Sequence, residues 1–141
     1  MPVYIPKQRE LTVMEVIIEV DVSNWEQEVA KPIVPTVVYF WHSQCPWCLR
    51  FTPIFDEAAQ EYAGRMKFVK LNMLENPGNQ EIASNYGVMS TPTLVFFCNG
   101  RPIGQAVGFM SEEDLRRTLG SVLGRYKSCL TQSSDLRSYI V

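Results

Sequence analysis

The chain has 141 residues, of which 46% are hydrophobic and 20% are charged, and its formal net charge is −2. This length and composition are typical of one globular domain and exclude a disordered chain or one built for the membrane. The slightly acidic balance offers no clustered basic face, so we expect no nucleic-acid partner and no membrane partner. Residues 1–7 lack the apolar core of a signal peptide, so we expect a cytoplasmic protein.

The first predicted elements alternate between strand and helix. Residues 13–22 are rich in Val and Ile and predict a first strand. A short helix is predicted over residues 25–30, after several polar residues that can cap it. Residues 36–41 form a nearly continuous apolar run, which is typical of a central strand covered on both faces.

A helical period begins at Cys45 and predicts a long amphipathic helix that stops near Gly64. Its apolar stripe consists of Phe51, Ile54, Phe55, Ala58, Ala59 and Tyr62. Pro53 lies inside the helix and is expected to kink it. The other, polar face of the helix is predicted to carry Arg50, Asp56, Glu57, Gln60 and Glu61.

The second half of the chain continues this alternation and ends in a hairpin and a helix. Residues 66–73 predict a strand, and Asn76-Pro77 marks the start of a third helix. Two strands, at residues 93–98 and 102–109, are joined by Asn99-Gly100, a strong hairpin signal. A last helix begins at residues 111–114, which resemble a capping box, and is predicted to stop near Gly124. The order β-α-β-α-β-α-β-β-α predicts an α/β fold, with a central mixed β-sheet flanked by helices on both faces.

Two cysteines, Cys45 and Cys48, lie where the central strand gives way to the long helix. Unpaired N–H groups at a helix start favour a thiolate at Cys45, which would make it the attacking sulfur. Cys48 would face it from the first turn and resolve a mixed disulfide. Pro46 suits the first helical turn and limits the backbone freedom between the sulfurs. Trp47 offers an apolar surface beside them.

A zinc site is the main alternative for a Cys-x-x-Cys pair, and it needs two further ligands. The other candidates are Cys98 in a predicted strand, Cys129 in the tail and His42, the only histidine. Because none of them has the paired spacing of a zinc site, we expect no metal. Cys98 is interpreted as a core residue and Cys129 as a free thiol in the tail.

Taken together, these residues resemble the thioredoxin family over about residues 16–123. Segments that carry the resemblance are Val38-Tyr39-Phe40-Trp41, Cys45-Pro46-Trp47-Cys48, Pro53, Lys70-Leu71-Asn72, Asn76-Pro77, Tyr86-Gly87-Val88, Thr91-Pro92-Thr93-Leu94, Phe97-Cys98-Asn99-Gly100 and Val107-Gly108. Each segment is weak evidence alone, but their common order along the chain is specific. The resemblance implies the thioredoxin fold and divides the chain into a leader (residues 1–12), a thioredoxin domain (13–125) and a C-terminal tail (126–141).

The resemblance also implies a substrate site around the cysteine pair. It implies that Pro92 is a cis-proline facing the cysteines. The backbone of Thr91, just before it, would pair with an extended substrate segment. Gly108 would line the same groove, where the missing side chain lets a partner approach. Trp47 is the further candidate for substrate contact.

Several residues depart from the family pattern. A Gly-Pro pair is usual between the cysteines, whereas this chain has Pro46-Trp47, and such changes tune the reduction potential. Gln44 stands where a Trp is usual. The family's buried Asp falls at Tyr39, and a tyrosine is a poor base near neutral pH. Lys70 is retained and can influence Cys48 electrostatically. His42 could stabilise the Cys45 thiolate, although a solvated turn histidine is the favoured interpretation.

We therefore predict a protein-disulfide oxidoreductase that reduces protein disulfides through Cys45 and Cys48. No bound cofactor is expected beyond the redox-active disulfide itself. The expected partners are disulfide-containing proteins and a recycling reductase or low-molecular-weight thiol, and the protein is expected to be a monomer. The alternatives are a disulfide oxidase or isomerase, a glutaredoxin-like protein, and a binding module that keeps only the fold.

Overall fold

The computed structural model describes residues 16–140, with side chains described for residues 16–126. Its elements in chain order are β1 (Ile17–Val20), α1 (Glu26–Ala30), β2 (Thr36–Trp41), α2 (Pro46–Tyr62), β3 (Lys67–Asn72), α3 (Pro77–Asn85), β4 (Thr93–Cys98), β5 (Arg101–Val107) and α4 (Glu112–Ile140). This is the predicted order. The leader at residues 1–12 and the Cys129 side chain in the tail lie outside the described residues.

The strands form one mixed sheet in the order β1-β3-β2-β4-β5. Strand β3 pairs in parallel with both β1 and β2. Strand β4 runs antiparallel to both β2 and β5. The crossover helices supply the parallel part and the hairpin supplies the antiparallel edge, so the predicted fold class is confirmed.

Strand β2 lies at the centre of the sheet and contributes side chains to two hydrophobic layers. Alternate side chains point to opposite faces of a sheet. Val37 and Tyr39 therefore pack in the layer that contains α2 and α4. Val38 and Phe40 pack in the layer that contains α1 and α3. Because both faces are covered, the strand reads as a continuous apolar run rather than an alternating one.

Local turn chemistry fixes several element ends as predicted. Asn99 and Gly100 have φ angles of 55° and 78°, the left-handed conformation that a tight hairpin requires. The Asn76 side chain accepts a hydrogen bond of 2.8 Å from the Asn79 N–H and so caps α3. Gly64, just after α2, has a φ of 91°, as expected of a residue that ends a helix.

The predicted end of the last helix near Gly124 is wrong, because α4 continues to Ile140. A glycine ends a helix when it turns left-handed, and Gly124 is not among the glycines with a positive φ. A glycine inside a helix costs only about 1 kcal/mol relative to alanine, so the helix continues through it. In the part of the chain that is described, no helix is long and apolar enough to cross a membrane.

Candidate active site

The site is built on the short connection between β2 and α2. Cys45 is the N-cap of α2, with an extended backbone, and its Sγ accepts a hydrogen bond of 3.1 Å from the Cys48 N–H. Pro46 follows at the first helical position, where its missing N–H costs nothing. The first turn of α2 carries no acidic residue, so the positive end of the helix faces Cys45 without an opposing carboxylate.

The two cysteines form a disulfide, with their Cα atoms 5.2 Å apart. Their exposure differs: Cys45 is 6% exposed and Cys48 is 1% exposed. Both residues are largely buried, but Cys45, at the helix start, keeps a larger exposed fraction than Cys48, three residues later. This asymmetry separates a thiol that a partner can reach from one that only its neighbour can reach.

A second loop, just before β4, lies against Cys45. The Thr91–Pro92 peptide bond is cis, as expected from the sequence. The Thr91 carbonyl oxygen lies 3.5 Å from Cys45 Sγ, a contact that can become a hydrogen bond only when the sulfur carries a proton. The Gly108 N–H donates a hydrogen bond of 2.8 Å to the Pro92 carbonyl. Three distant chain segments thus meet at the disulfide.

A groove of about 310 Å³ runs beside the disulfide and is lined by Trp47, Thr91, Pro92, Gly108 and Phe109. Trp47 is 52% exposed and Phe109 is 42% exposed. Their ring centroids are 5.5 Å apart, and the Arg50 guanidinium lies 5.1 Å from the Trp47 ring centroid. The groove brings together the four residues that the sequence assigns to substrate contact.

Phe109 is part of this groove although its place there was not evident from the sequence. An aromatic residue just after the end of an exposed edge strand was the signal that could have identified it. Gly108, its neighbour, has a φ of 97°, and a Cβ built on it would meet no atom within 4 Å. The backbone conformation, rather than crowding, is therefore what favours glycine at this position.

Behind the disulfide, Tyr39 is fully buried and points toward Cys48. Its hydroxyl lies 3.0 Å from the Cys48 carbonyl oxygen and 3.1 Å from Thr52 Oγ1. The Thr52 hydroxyl also donates to the Cys48 carbonyl, at 2.8 Å. Burial raises the pKa of Tyr39 above its ordinary value of 10.0, because the low-dielectric core disfavours the phenolate.

Lys70 lies next to Tyr39 in the adjacent strand, because the two residues are register partners of β2 and β3. Lys70 Nζ is 5.9 Å from the Tyr39 ring centroid and 5.1 Å from the Trp41 ring centroid. The cation is thus held over aromatic faces at the edge of the core.

Asp56 was predicted to lie on the polar face of α2, and this prediction is wrong. The side chain is half-buried, and its Oδ1 atom is buried without a hydrogen-bond partner among the described residues. Burial raises the pKa of Asp56 above 3.8, and the charge of Lys70 opposes that rise. The four-residue spacing from Cys48 and Thr52 was the sequence signal that could have revealed its position.

His42 faces its own turn. Its Nδ1 accepts a hydrogen bond of 3.2 Å from the Gln44 N–H. This contact agrees with the favoured interpretation of a turn histidine and leaves Nδ1 committed to the backbone. Within the described residues, no group of three or more His, Cys, Asp or Glu side chains is arranged to hold a metal ion.

Comparisons with known proteins match this geometry to one family. The family model described as Thioredoxin matches residues 16–121. The chain is 41% identical over 97 residues to thioredoxin 1 of Nostoc sp., an alignment that covers 69% of this chain and 88% of that protein. It is 38% identical over 106 residues to thioredoxin 1 of Synechococcus elongatus, covering 75% of this chain and 96% of that protein.

A chloroplast protein is also similar. The M-type chloroplastic thioredoxin of Pisum sativum is 39% identical over 93 residues, which cover 66% of this chain and 52% of that protein. The matched family region contains the sheet, the cysteine pair and the cis-proline loop described above. The chain therefore belongs to the thioredoxin family and is a protein-disulfide oxidoreductase.

Proposed function

We propose that Cys45 is the attacking cysteine and Cys48 the resolving cysteine of this oxidoreductase. The observation that carries the assignment is their unequal exposure, 6% against 1%. The position of Cys45 at the start of α2 adds to it, because the Cys48 N–H and the helix start favour a thiolate there. The more exposed cysteine can meet a protein substrate, whereas the fully buried one can only attack the sulfur beside it.

The cycle reduces a disulfide by two consecutive exchanges. The Cys45 thiolate attacks one sulfur of the substrate disulfide, forms a mixed disulfide and releases one substrate thiolate, which takes up a proton. Cys48 then loses its proton and attacks Cys45 Sγ. The second substrate thiolate leaves and is protonated, so the substrate gains both electrons and the Cys45–Cys48 disulfide is formed.

The groove beside Cys45 is the proposed substrate site. Trp47 and Pro92 would contact the substrate segment, and the Thr91 backbone would pair with it in the manner of an added strand. Gly108 leaves that path open, since a Cβ built there would meet no described atom. The exposed aromatic pair of Trp47 and Phe109 supports this proposal, because such a pair offers an apolar surface next to the reactive sulfur.

Three residues are proposed to support the pair rather than to contact substrate. Pro46 stiffens the turn between the sulfurs. Tyr39 fixes the Cys48 carbonyl through its hydroxyl. Lys70 places a positive charge near the buried thiol, which favours its ionised form.

The cellular role follows from this chemistry. We infer a part in electron transport and cell redox homeostasis, in a reducing compartment such as the cytoplasm, with no bound cofactor. The substrates would be disulfide-containing proteins, and a reductase or low-molecular-weight thiol would regenerate the dithiol. We also propose the thioredoxin domain at residues 13–125 as a monomer, with residues 126–141 as an extension.

Trapping experiments test the roles of the two cysteines. A Cys45→Ser variant is expected to lose reduction of a protein disulfide such as insulin, because no exposed thiolate remains. A Cys48→Ser variant is expected to hold its substrate as a mixed disulfide, detected by non-reducing electrophoresis and mass spectrometry. The double variant is the control and should capture nothing. Unchanged insulin reduction by Cys45→Ser would contradict the assignment of Cys45, and a parent protein that does not reduce insulin would instead favour a binding module.

A second experiment distinguishes a reductase from an oxidant. It is needed because Pro46-Trp47 between the cysteines also suits an oxidase, an isomerase or a glutaredoxin-like protein. Equilibration of the Cys45–Cys48 pair with glutathione measures its reduction potential. A reduction potential of about −270 mV supports the proposed reductase, and one of about −120 mV supports an oxidant.

A further inference from the structure

The Cys48 thiol needs a proton acceptor that is not evident in its immediate surroundings. It must ionise before it can resolve the mixed disulfide, because the thiolate is the nucleophile. Cys48 is 1% exposed, so solvent does not reach it freely. The titratable hydroxyl in contact with its backbone belongs to Tyr39, whose pKa is raised by burial. Tyr39 is therefore not a base near neutral pH.

A polar stripe on α2 leads away from Cys48 along the helix. Cys48, Thr52 and Asp56 are spaced by four residues, so they lie on one face of the helix. This face packs against β2, since Thr52 Oγ1 lies 3.1 Å from the Tyr39 hydroxyl. The Thr52 hydroxyl is also bonded to the Cys48 carbonyl, at 2.8 Å. Hydroxyl groups thus connect the backbone of the resolving cysteine to the next turn of the helix.

Asp56 lies at the other end of this stripe from Cys48 and has an unused acceptor. Its buried Oδ1 has no hydrogen-bond partner in the described part of the chain, an arrangement that costs free energy in a core. The groups that act on it come from two strands. Lys70 of β3 is the cation whose charge favours the carboxylate, and Tyr39 of β2 is the titratable group that responds to the Asp56 charge.

We propose that Asp56 accepts the proton that leaves Cys48 in the resolving step, through the Thr52 hydroxyl and a bridging water, with Lys70 adjusting its basicity. Neighbouring positions four residues apart on a helix are about 5–6 Å apart, a gap that one water spans. The proton moves from Cys48 Sγ to the Asp56 carboxylate as the Cys48 thiolate forms a bond to Cys45 Sγ. The departing substrate thiolate then takes up a proton, and Asp56 releases its own to solvent.

The environment of Asp56 suits this role. A carboxylate with an ordinary pKa is a weak base near neutral pH. Burial raises the pKa of Asp56, and the positive charge of Lys70 opposes that rise. Asp56 is a positioning residue, because it acts on the reacting sulfur only through other groups.

A two-phase colorimetric reaction tests the proposal and resolves the two steps. Dithiobis(nitrobenzoate) releases one coloured thiolate when Cys45 attacks and a second when Cys48 resolves. At pH 7, Asp56→Asn is expected to slow the second release by about tenfold, below the ~10²–10⁴ range of a base in direct contact. The first release should change by less than about twofold, because Asp56 does not act on Cys45.

The pH profile and matched variants separate this role from a structural one. In the parent, the rate of the second release should fall at acidic pH as Asp56 becomes protonated. This fall should be absent in Asp56→Asn and present again in Asp56→Glu. In Lys70→Gln it should occur at higher pH. Glu57→Gln, the same loss of charge at the next, exposed position, is the control and should behave as the parent. An Asp56→Asn profile that matches the parent would overturn the proposal. A parent protein without any second release would instead contradict the assignment of Cys48 as the resolving cysteine.

Discussion

Tyr39 is the largest fully buried side chain beside the disulfide, and it shows how one residue can serve both packing and the site. Its ring meets Phe51 and Phe55 at centroid distances of 5.3 and 4.9 Å, so it anchors α2 to β2. Its hydroxyl, at the other end, bonds to the Cys48 carbonyl. The ring fixes the helix against the sheet, and the hydroxyl fixes the backbone of the resolving cysteine.

Removal of the hydroxyl from Tyr39 tests that second contribution. Tyr39→Phe keeps the ring but deletes the hydrogen bonds to Cys48 and Thr52. We expect a loss of about 0.5–1.5 kcal/mol in the free energy of unfolding, measured by urea denaturation of the oxidised protein. Tyr62→Phe is the matched control, since the Tyr62 hydroxyl makes only a long, exposed bond of 3.5 Å. Equal stabilities of the two variants would contradict the expectation.

At the scale of elements, Asn79 joins three of them by one buried amide. It is fully buried at the start of α3, where its Oδ1 accepts from the Val22 N–H at 3.0 Å. Its Nδ2 donates to the Asn72 carbonyl at 2.9 Å. These bonds tie α3 to the chain just after β1 and to the end of β3. A lone asparagine in a helical turn gives no sign of this in the sequence.

Truncation of the Asn79 side chain should therefore be costly. Asn79→Ala leaves a donor and an acceptor without partners, so we expect a loss of about 2 kcal/mol or more in the free energy of unfolding by urea denaturation. Asn79→Asp keeps the acceptor for Val22 but loses the donor to Asn72 and buries a carboxylate, so it should also lose stability. Gln80→Ala, at the exposed neighbour, should stay within about 0.5 kcal/mol of the parent. A similar effect of both alanine variants would argue against the bridging role.

At the scale of the whole molecule, the site lies where the two halves of the sheet meet. The carboxyl end of β2 supplies the cysteine loop, and the open end of the β4–β5 hairpin supplies Thr91, Pro92 and Gly108. Both hydrophobic layers hold these loops in place from below. The half-buried Asp56 is one feature of this core that makes its stability depend on pH.

The pH dependence of unfolding has a definite sign. Because the pKa of Asp56 is raised in the folded state, the folded protein binds this proton more tightly than the unfolded chain does. Stability from this group is therefore greatest at low pH and falls as the pH rises through the window above 3.8. Asp56→Asn removes the penalty, so the oxidised variant should be more stable than the parent at pH 7.

Urea denaturation of the oxidised parent and of Asp56→Asn checks this expectation. The measurement is repeated at pH values from roughly 4 to 8. The two stabilities should approach each other as the pH falls toward 3.8, because the parent carboxyl is then increasingly protonated in both states. A gap that stays constant with pH, or one that favours the parent at pH 7, would contradict a raised pKa.

The element order, the mixed sheet, the hairpin and the cysteine pair at the start of a helix could all be predicted from the sequence. Those features depend on local signals, namely apolar period, turn residues and caps, which are strong within a few positions. It also pointed to Pro92 and Gly108 near the pair, through resemblance rather than through any local rule.

Which polar groups are buried, and which residues they contact, is evident only from the three-dimensional packing. Asp56 counted as a solvent-facing residue by its helical position, yet the packing of α2 on β2 and β3 covers it beside Lys70. Phe109 joins Trp47 only because β5 returns along β4 to the cysteine loop. The helix beyond Gly124 likewise continues where a local stop signal was present. Burial and long-range contact depend on residues far apart in the chain, so no short stretch of sequence specifies them.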